Sequence, residues 1–185
     1  INYTIISNTS RIRADYFYLK TEYLEVDFPK DWWAAKWDDR NQSGTIYYLL
    51  LSPYNLPLVI FFRIFNEEAK AAFMTENCLT DAFSAVVLEV KGIYDWCLQN
   101  NNPDATLSFI ENGTILVSNY EANYSKIFIY KGLKQDVIIG NITGLFIAQL
   151  RQQKLVEIVF YGREEEWNEP SFQEAFNIIL NSTKL

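Results

Sequence analysis

Seven asparagines stand two residues ahead of a serine or threonine with no proline between: Asn2, Asn8, Asn41, Asn112, Asn123, Asn141 and Asn181. Each is an acceptor triplet for an N-linked sugar. Chance placement of the chain's asparagines and hydroxyl residues gives about two such triplets, so the excess points to an exported glycoprotein. Four of the seven fall where a sugar would leave a core intact. Asn112 lies in the turn signal Glu111-Asn112-Gly113, Asn141 follows Gly140, Asn41 sits in a polar loop and Asn181 ends a predicted helix. An asparagine-rich composition is the competing explanation.

Histidine is absent, which removes Ser-His-Asp triads, Cys-His dyads and imidazole metal sites. The remaining soft ligands are Cys78 and Cys97, too few for zinc or copper without carboxylates, so no metal and no cofactor is expected. In an exported chain an even cysteine count favours a disulfide. On one continuous helix, however, the two would lie about 28 Å apart by axial rise, far beyond the roughly 7 Å that a bridge spans. A bridge therefore needs a bend between them, at Gly92 or over residues 79–81. Glu164, Glu165, Glu166 and Glu169, beside Glu157, are the densest acidic cluster, but they lack the alternating, glycine-containing spacing of a calcium loop and read as a solvated segment. Trp32, Trp33, Trp37 and Trp167 are candidates for an aromatic platform that binds sugar or a partner; the alternative is that they close the edge of a core. No catalytic constellation emerges, and the chain is not expected to be an enzyme.

These residues need a scaffold, and 185 residues with 49% apolar and 16% aromatic content suffice for one domain with its own core. A formal charge of -7 argues against nucleic acid or an anionic membrane surface as partner, since both attract clustered Lys and Arg. No apolar stretch approaches the roughly 18 residues of a membrane span: Leu56 to Phe65 is short and Arg63 interrupts it. A start at Ile1 rather than Met suggests either a processed mature chain or a trimmed one, and a removed signal segment or anchor would leave no trace in it.

Periodicity orders the elements. Residues 1–15 read as an extended arm: Ile1, Tyr3 and Ile5 alternate with polar residues, and Ser10 to Arg13 is polar connection. Such an arm either docks on its own sheet or lends a strand to a neighbouring molecule. The domain proper spans residues 16–185. Tyr16 to Phe28 reads as a strand stopped by Pro29, and the first three tryptophans as part of a loop. Thr45 to Leu51 and Leu56 to Phe65 form a hairpin of strands covered on both faces. Asn66 caps a helix over 67–74, and Asp81 to Gln99 is a longer helix whose apolar stripe is Phe83, Val86, Val87, Val90, Tyr94 and Cys97. Strands follow at 105–110, 114–120 and 126–130, with turns at Asn112-Gly113 and over 132–136. Gly144 to Leu150 and Leu155 to Gly162 form a hairpin around Arg151 to Lys154. Pro170 to Asn181 is a closing amphipathic helix with Phe172, Ala175, Phe176, Ile179 and Leu180 on one stripe. This order predicts an α+β fold, an antiparallel sheet between helices with the C-terminal helix packed on it.

The order resembles the PsbP/Mog1-like superfamily, including its extracellular bacterial and archaeal members. The matching residues are Tyr23-Leu24-Glu25-Val26-Asp27-Phe28-Pro29-Lys30-Asp31-Trp32, then Val117-Ser118-Asn119-Tyr120-Glu121-Ala122 as a mid-sheet strand, and finally Val156 to Tyr161 with Phe172 to Leu180 and Ser182. The helix pair at 67–99 is longer than the family pattern, and residues 1–15 lie outside it. The resemblance implies an α/β/α sandwich and a non-catalytic binding, assembly or accessory role. Together with the acceptor triplets it suggests an exported accessory protein at the cell surface that carries N-linked glycans and meets a protein partner. The structural alternative is a subunit of a surface layer or filament, self-associating through its N-terminal strand.

Overall fold

The computed structural model describes residues 3–6, 9–37, 43–53 and 59–185; Asn2, Asn8 and Asn41 lie outside them. Two sheets and four helices make up the described chain. Strands β1 (Tyr3–Ile5), β5 (Trp33–Trp37), β6 (Thr45–Leu51), β7 (Val59–Phe65), β8 (Thr106–Val117), β9 (Tyr120–Gln135), β10 (Ile138–Leu150) and β11 (Leu155–Arg163) form one sheet in the order β1-β5-β6-β7-β11-β10-β9-β8. Every pairing in it is antiparallel. Strands β2 (Thr9–Arg13), β3 (Tyr16–Lys20) and β4 (Glu25–Pro29) form a second, smaller sheet.

Both faces of the large sheet are covered, and the covers differ. On one face lie α1 (Glu67–Glu76) and α2 (Ala82–Asn100), over a core that includes Phe65, Val86, Val90, Ile129, Phe146 and Val159. On the other lie α4 (Pro170–Ser182) and the small sheet, over Leu19, Val26, Phe28, Phe62, Ile158 and Phe160. The predicted α/β/α arrangement holds, with half of one helical layer replaced by a β-hairpin. That hairpin is the predicted single strand at 16–28: the chain turns at residues 21–24, where Thr21 N–H donates to Leu24 O at 2.9 Å, so that Leu19, Leu24, Val26 and Phe28 all reach the core. Ser182 Oγ accepts from Asp27 N–H at 2.8 Å and ties α4 to β4.

The closing helix begins with Pro170 in its first turn, and Phe172, Ala175, Phe176 and Ile179 are buried as their spacing requires. Helix α2 starts in a reciprocal Asp81/Ser84 capping box. Its buried stripe is Ala82, Ala85, Val86, Val90 and Cys97, so the predicted Phe83 and Val87 turn away to line a surface groove with Lys91.

Five further expectations are corrected. Residues 9–13 are strand β2, not a connection, and Trp33 to Trp37 form strand β5, not a loop. Asn112-Gly113 makes no turn; it lies inside the twelve-residue strand β8, beyond a bulge between Phe109 and Glu111. The turn falls at Ser118-Asn119, where φ values of 52° and 66° give the two successive left-handed residues of a two-residue hairpin. Val117 to Ala122 is therefore that turn and its flanks, not a mid-sheet strand. Likewise 132–135 continue β9 past Lys131, whose φ of 55° marks an irregularity, and the turn is at Asp136.

The arm's residues Tyr3–Ile5 pair with β5 of the same chain. Phe160, wholly buried and 4.5 Å from the Phe176 ring centroid in an edge-on arrangement, links β11 to α4. Phe160→Ala is expected to lower unfolding free energy by about 3–5 kcal/mol in urea denaturation; a loss under about 1 kcal/mol would contradict this packing.

Candidate functional site

The cleft of interest forms where the β10–β11 turn meets the start of α1. Asn66 caps α1 by accepting Ala69 N–H on Oδ1 at 2.9 Å, and its own N–H donates to Gly44 O at 2.9 Å. Gly44 has φ 77°, and a Cβ there would stand 2.6 Å from the Asn66 amide, so this approach requires glycine. From the second turn of α1, Lys70 Nζ donates to Arg151 O at 3.1 Å and to Gln152 O at 2.5 Å. The turn closes through Arg151 N–H to Lys154 O at 2.8 Å.

Arg151 is held from several sides. Buried Gln149 accepts Arg151 Nε at 2.7 Å on Oε1, and its Nε2 donates to Val117 O at 2.8 Å and Tyr120 O at 3.1 Å. The guanidinium carbon lies 3.9 Å from the Tyr120 ring centroid, in cation–π range. Nη1 donates to Leu185 O at 3.3 Å, while Nη2 is shut from solvent without a hydrogen-bond partner. The cleft encloses about 710 Å³, with Tyr23, Ile46 and Ile64 on its walls besides the turn. Among the described residues no side-chain carboxylate pairs with Arg151 or Lys154. Burial makes the Lys154 ammonium easier to deprotonate than usual, and the Arg151 charge adds to that. In a chain of net charge -7, two cations at one cleft with no side-chain carboxylate paired to them among the described residues are a local inversion of sign.

A second cluster lies under α2 and was not legible in the sequence. Arg63 on β7 stands opposite Glu157 on β11 in the strand register. Its guanidinium reaches Glu89 of α2 at 3.1 Å and Glu157 at 3.6 Å, and lies 4.6 and 4.7 Å from the Phe65 and Phe73 ring centroids. One cation faces two carboxyl groups. The closer, better-aligned contact goes to Glu89, and both Glu157 oxygens are buried without a hydrogen-bond partner. Burial first, then the Glu89 charge, therefore push the Glu157 carboxyl well above the usual range, with Arg63 opposing. The site keeps its proton rather than a second negative charge.

The sequence-predicted residues are dispersed. Trp32 is buried and stacked on Phe172 at 5.9 Å, Trp167 packs on Phe172 and Phe176, and Trp37 lies against Tyr47. Trp33 is 58% exposed. Trp32 and Trp167 meet on Phe172 at the edge of the core, and exposed Trp33 and Trp37 beside Tyr47 stand on β5, so the four do not form one platform. Glu164 to Glu166 open a short helix, α3 (Glu164–Trp167), where Glu166 pairs with Arg163, while Glu157 sits apart in the sheet. Among the described residues, no cluster of three or more acidic or thiol side chains is arranged to hold a metal, and no helix is long and apolar enough to cross a membrane. Of the acceptor asparagines, Asn112 and Asn181 are exposed and Asn123 and Asn141 half-buried. Asn141 Nδ2 donates to Glu164 at 3.0 Å.

The Cys78–Cys97 bridge is not made: both are free thiols, Cys78 exposed and Cys97 buried. The physical reason is α2, which runs unbroken through Gly92 and places Cys97 near its far end.

The solution structure of cyanobacterial PsbP (CyanoP) from Synechocystis sp. PCC 6803 superimposes on this chain with a TM-score of 0.58, covering 94% of each chain at 12% identity. The fold is PsbP-like. LpqN, involved in cell envelope biogenesis of Mycobacterium tuberculosis, aligns over 99% of this chain and 90% of its own at a TM-score of 0.43 and 9% identity. No family model and no curated protein matches the chain.

Two predictions follow from these groups. Because folding raises the Glu157 pKa, the folded state binds its proton more tightly than the unfolded chain. Stability should thus decline as pH rises from about 4.5 through the raised value, and Glu157→Gln should flatten that decline in urea titrations at several pH values; an unchanged slope would contradict the assignment. Burial also pushes the Cys97 thiol up to about 11, so a thiol reagent at neutral pH should modify Cys78 quickly and Cys97 only after unfolding. Equal rates would contradict this burial.

Proposed function

We propose that the protein is an exported, N-glycosylated binding protein without catalytic function that acts at or outside the cell surface through the cleft at the β10–β11 turn. The observation that carries this reading is the cleft itself. Its walls are fixed by the Lys70 clamp and the Asn66 cap, its Arg151 is held in place, and among the described residues no side-chain carboxylate pairs with Arg151 or Lys154. A preformed concavity with a few fixed polar groups is how proteins bind small ligands. Exposed Asn112 and Asn181 support the export half, and none of the four described acceptor asparagines lines the cleft. The PsbP-like fold is compatible with the accessory role that the superfamily resemblance implies.

The filament reading is weaker, since Tyr3–Ile5 already pairs with β5 of its own chain and that strand is not free to be lent.

Intact mass of the protein from its native cells, before and after enzymatic removal of N-linked sugars, tests export. A mass drop is expected, and Asn112→Gln and Asn181→Gln should each remove one glycan. An unmodified native mass would overturn the proposed localisation.

A further inference from the structure

We infer that the cleft between the β10–β11 turn and the start of α1 is a site for an acidic saccharide, a hydroxylated sugar unit that carries a carboxylate or sulfate. This rests on the reading of the cleft as the binding place and specifies what it takes. Three observations lead there. First, Arg151 and Lys154 bring two positive charges to the cleft with no side-chain carboxylate paired to either among the described residues. An anion supplies the missing charge, and a partly desolvated cation gains more from it than an exposed one.

Second, the walls set side-chain amides beside amphipathic aromatic rings, a combination that suits a hydroxylated body. Ile64 and Phe65 are 5% and 2% exposed, so the apolar surface a ligand meets includes half-buried Ile46 and the tyrosine rings. Among the groups a ligand can reach are the amides of Asn66, Gln152 and Gln153, which both donate and accept. Exposed Tyr23 and Tyr120 line the same cleft. Amphipathic rings of this kind meet the C–H face of a sugar while their hydroxyls stay wet.

Third, Arg151 and the backbone that carries Lys154 are placed before any ligand arrives. Gln149 and the Tyr120 ring fix Arg151, and Lys70 fixes the turn that carries Lys154. Little ordering is left to oppose binding.

The test is isothermal titration of the full chain with galacturonate and glucuronate oligomers, neutral galactose oligomers of the same length, and inorganic sulfate. The acidic oligomers should bind at least about tenfold more tightly than either the neutral oligomers or sulfate alone. Among the described residues the Lys154 ammonium makes no hydrogen bond or ion pair, so Lys154→Gln should fold normally and lose about tenfold in affinity for the acidic oligomers. Lys154→Arg should retain binding, and Lys134→Gln, on β9 and outside the cleft, should leave it unchanged. Equal binding of neutral oligomers would overturn the acidic class while leaving the cleft as a binding place. Binding of acidic oligomers that Lys154→Gln does not weaken would place the site elsewhere and overturn the inference. No binding of any oligomer would overturn both the inference and the cleft's assignment, leaving export to be judged by the glycan mass alone.

Discussion

The pairing of β7 with β11 is the seam on which the molecule depends. Along the chain, β1 and β5–β7 belong to the first third and β8–β11 to the last part. They become one sheet only because β11 lies between β7 and β10. A strand in that position is covered on both faces, and residues 155–160 are all buried. Such a strand is ordinarily apolar throughout, yet its third residue is Glu157. The register places Arg63 directly across from it, and slipping by one residue would turn the carboxyl into the opposite core, away from Arg63. A costly buried group thus discriminates against misregistered pairing even where its net contribution to stability is small.

The same seam builds the cleft. Because β11 is held against β7, the turn that precedes β11 arrives beside the end of β7, where Asn66 begins α1. Gln149, buried at the end of β10, then reaches the Ser118-Asn119 hairpin on one side and Arg151 on the other. A single amide thereby couples the tight turn between β8 and β9 to the orientation of the guanidinium.

Elements whose identity follows from local pattern were readable in the sequence. The Phe172 to Ile179 stripe, the Asn66 cap, the β6–β7 hairpin and the 151–154 turn need only periodicity and a few turn residues to be seen. What was not readable depends on partners far along the chain. Asn112-Gly113 has the composition of a tight turn, but β9 supplies a continuous ladder opposite it and tertiary pairing prevails over turn propensity. Ser118-Asn119 has weaker turn chemistry and nevertheless turns, because the strands on either side find each other there. Cys97 follows the helical period; what sequence left open was whether α2 bends, and Gly92 does not bend it. Arg63, Glu89 and Glu157 look like ordinary surface charges until three separate elements bring them together. The unpaired state of Arg151 and Lys154 is equally invisible, since it depends on which carboxylates fail to arrive.

Helix α1 buries none of its residues completely; its grip on the body is Phe73 against Phe65, with ring centroids 4.6 Å apart, and the Lys70 clamp. Elements of this kind open at lower free energy than the core that carries them. One ammonium therefore makes the turn's geometry a property of a helix with no fully buried residue. When α1 frays, Gln152 loses its tether and the wall of the cleft slackens while the sheet stays folded. The recess can lose its shape and regain it without any global unfolding, on the timescale of one short helix.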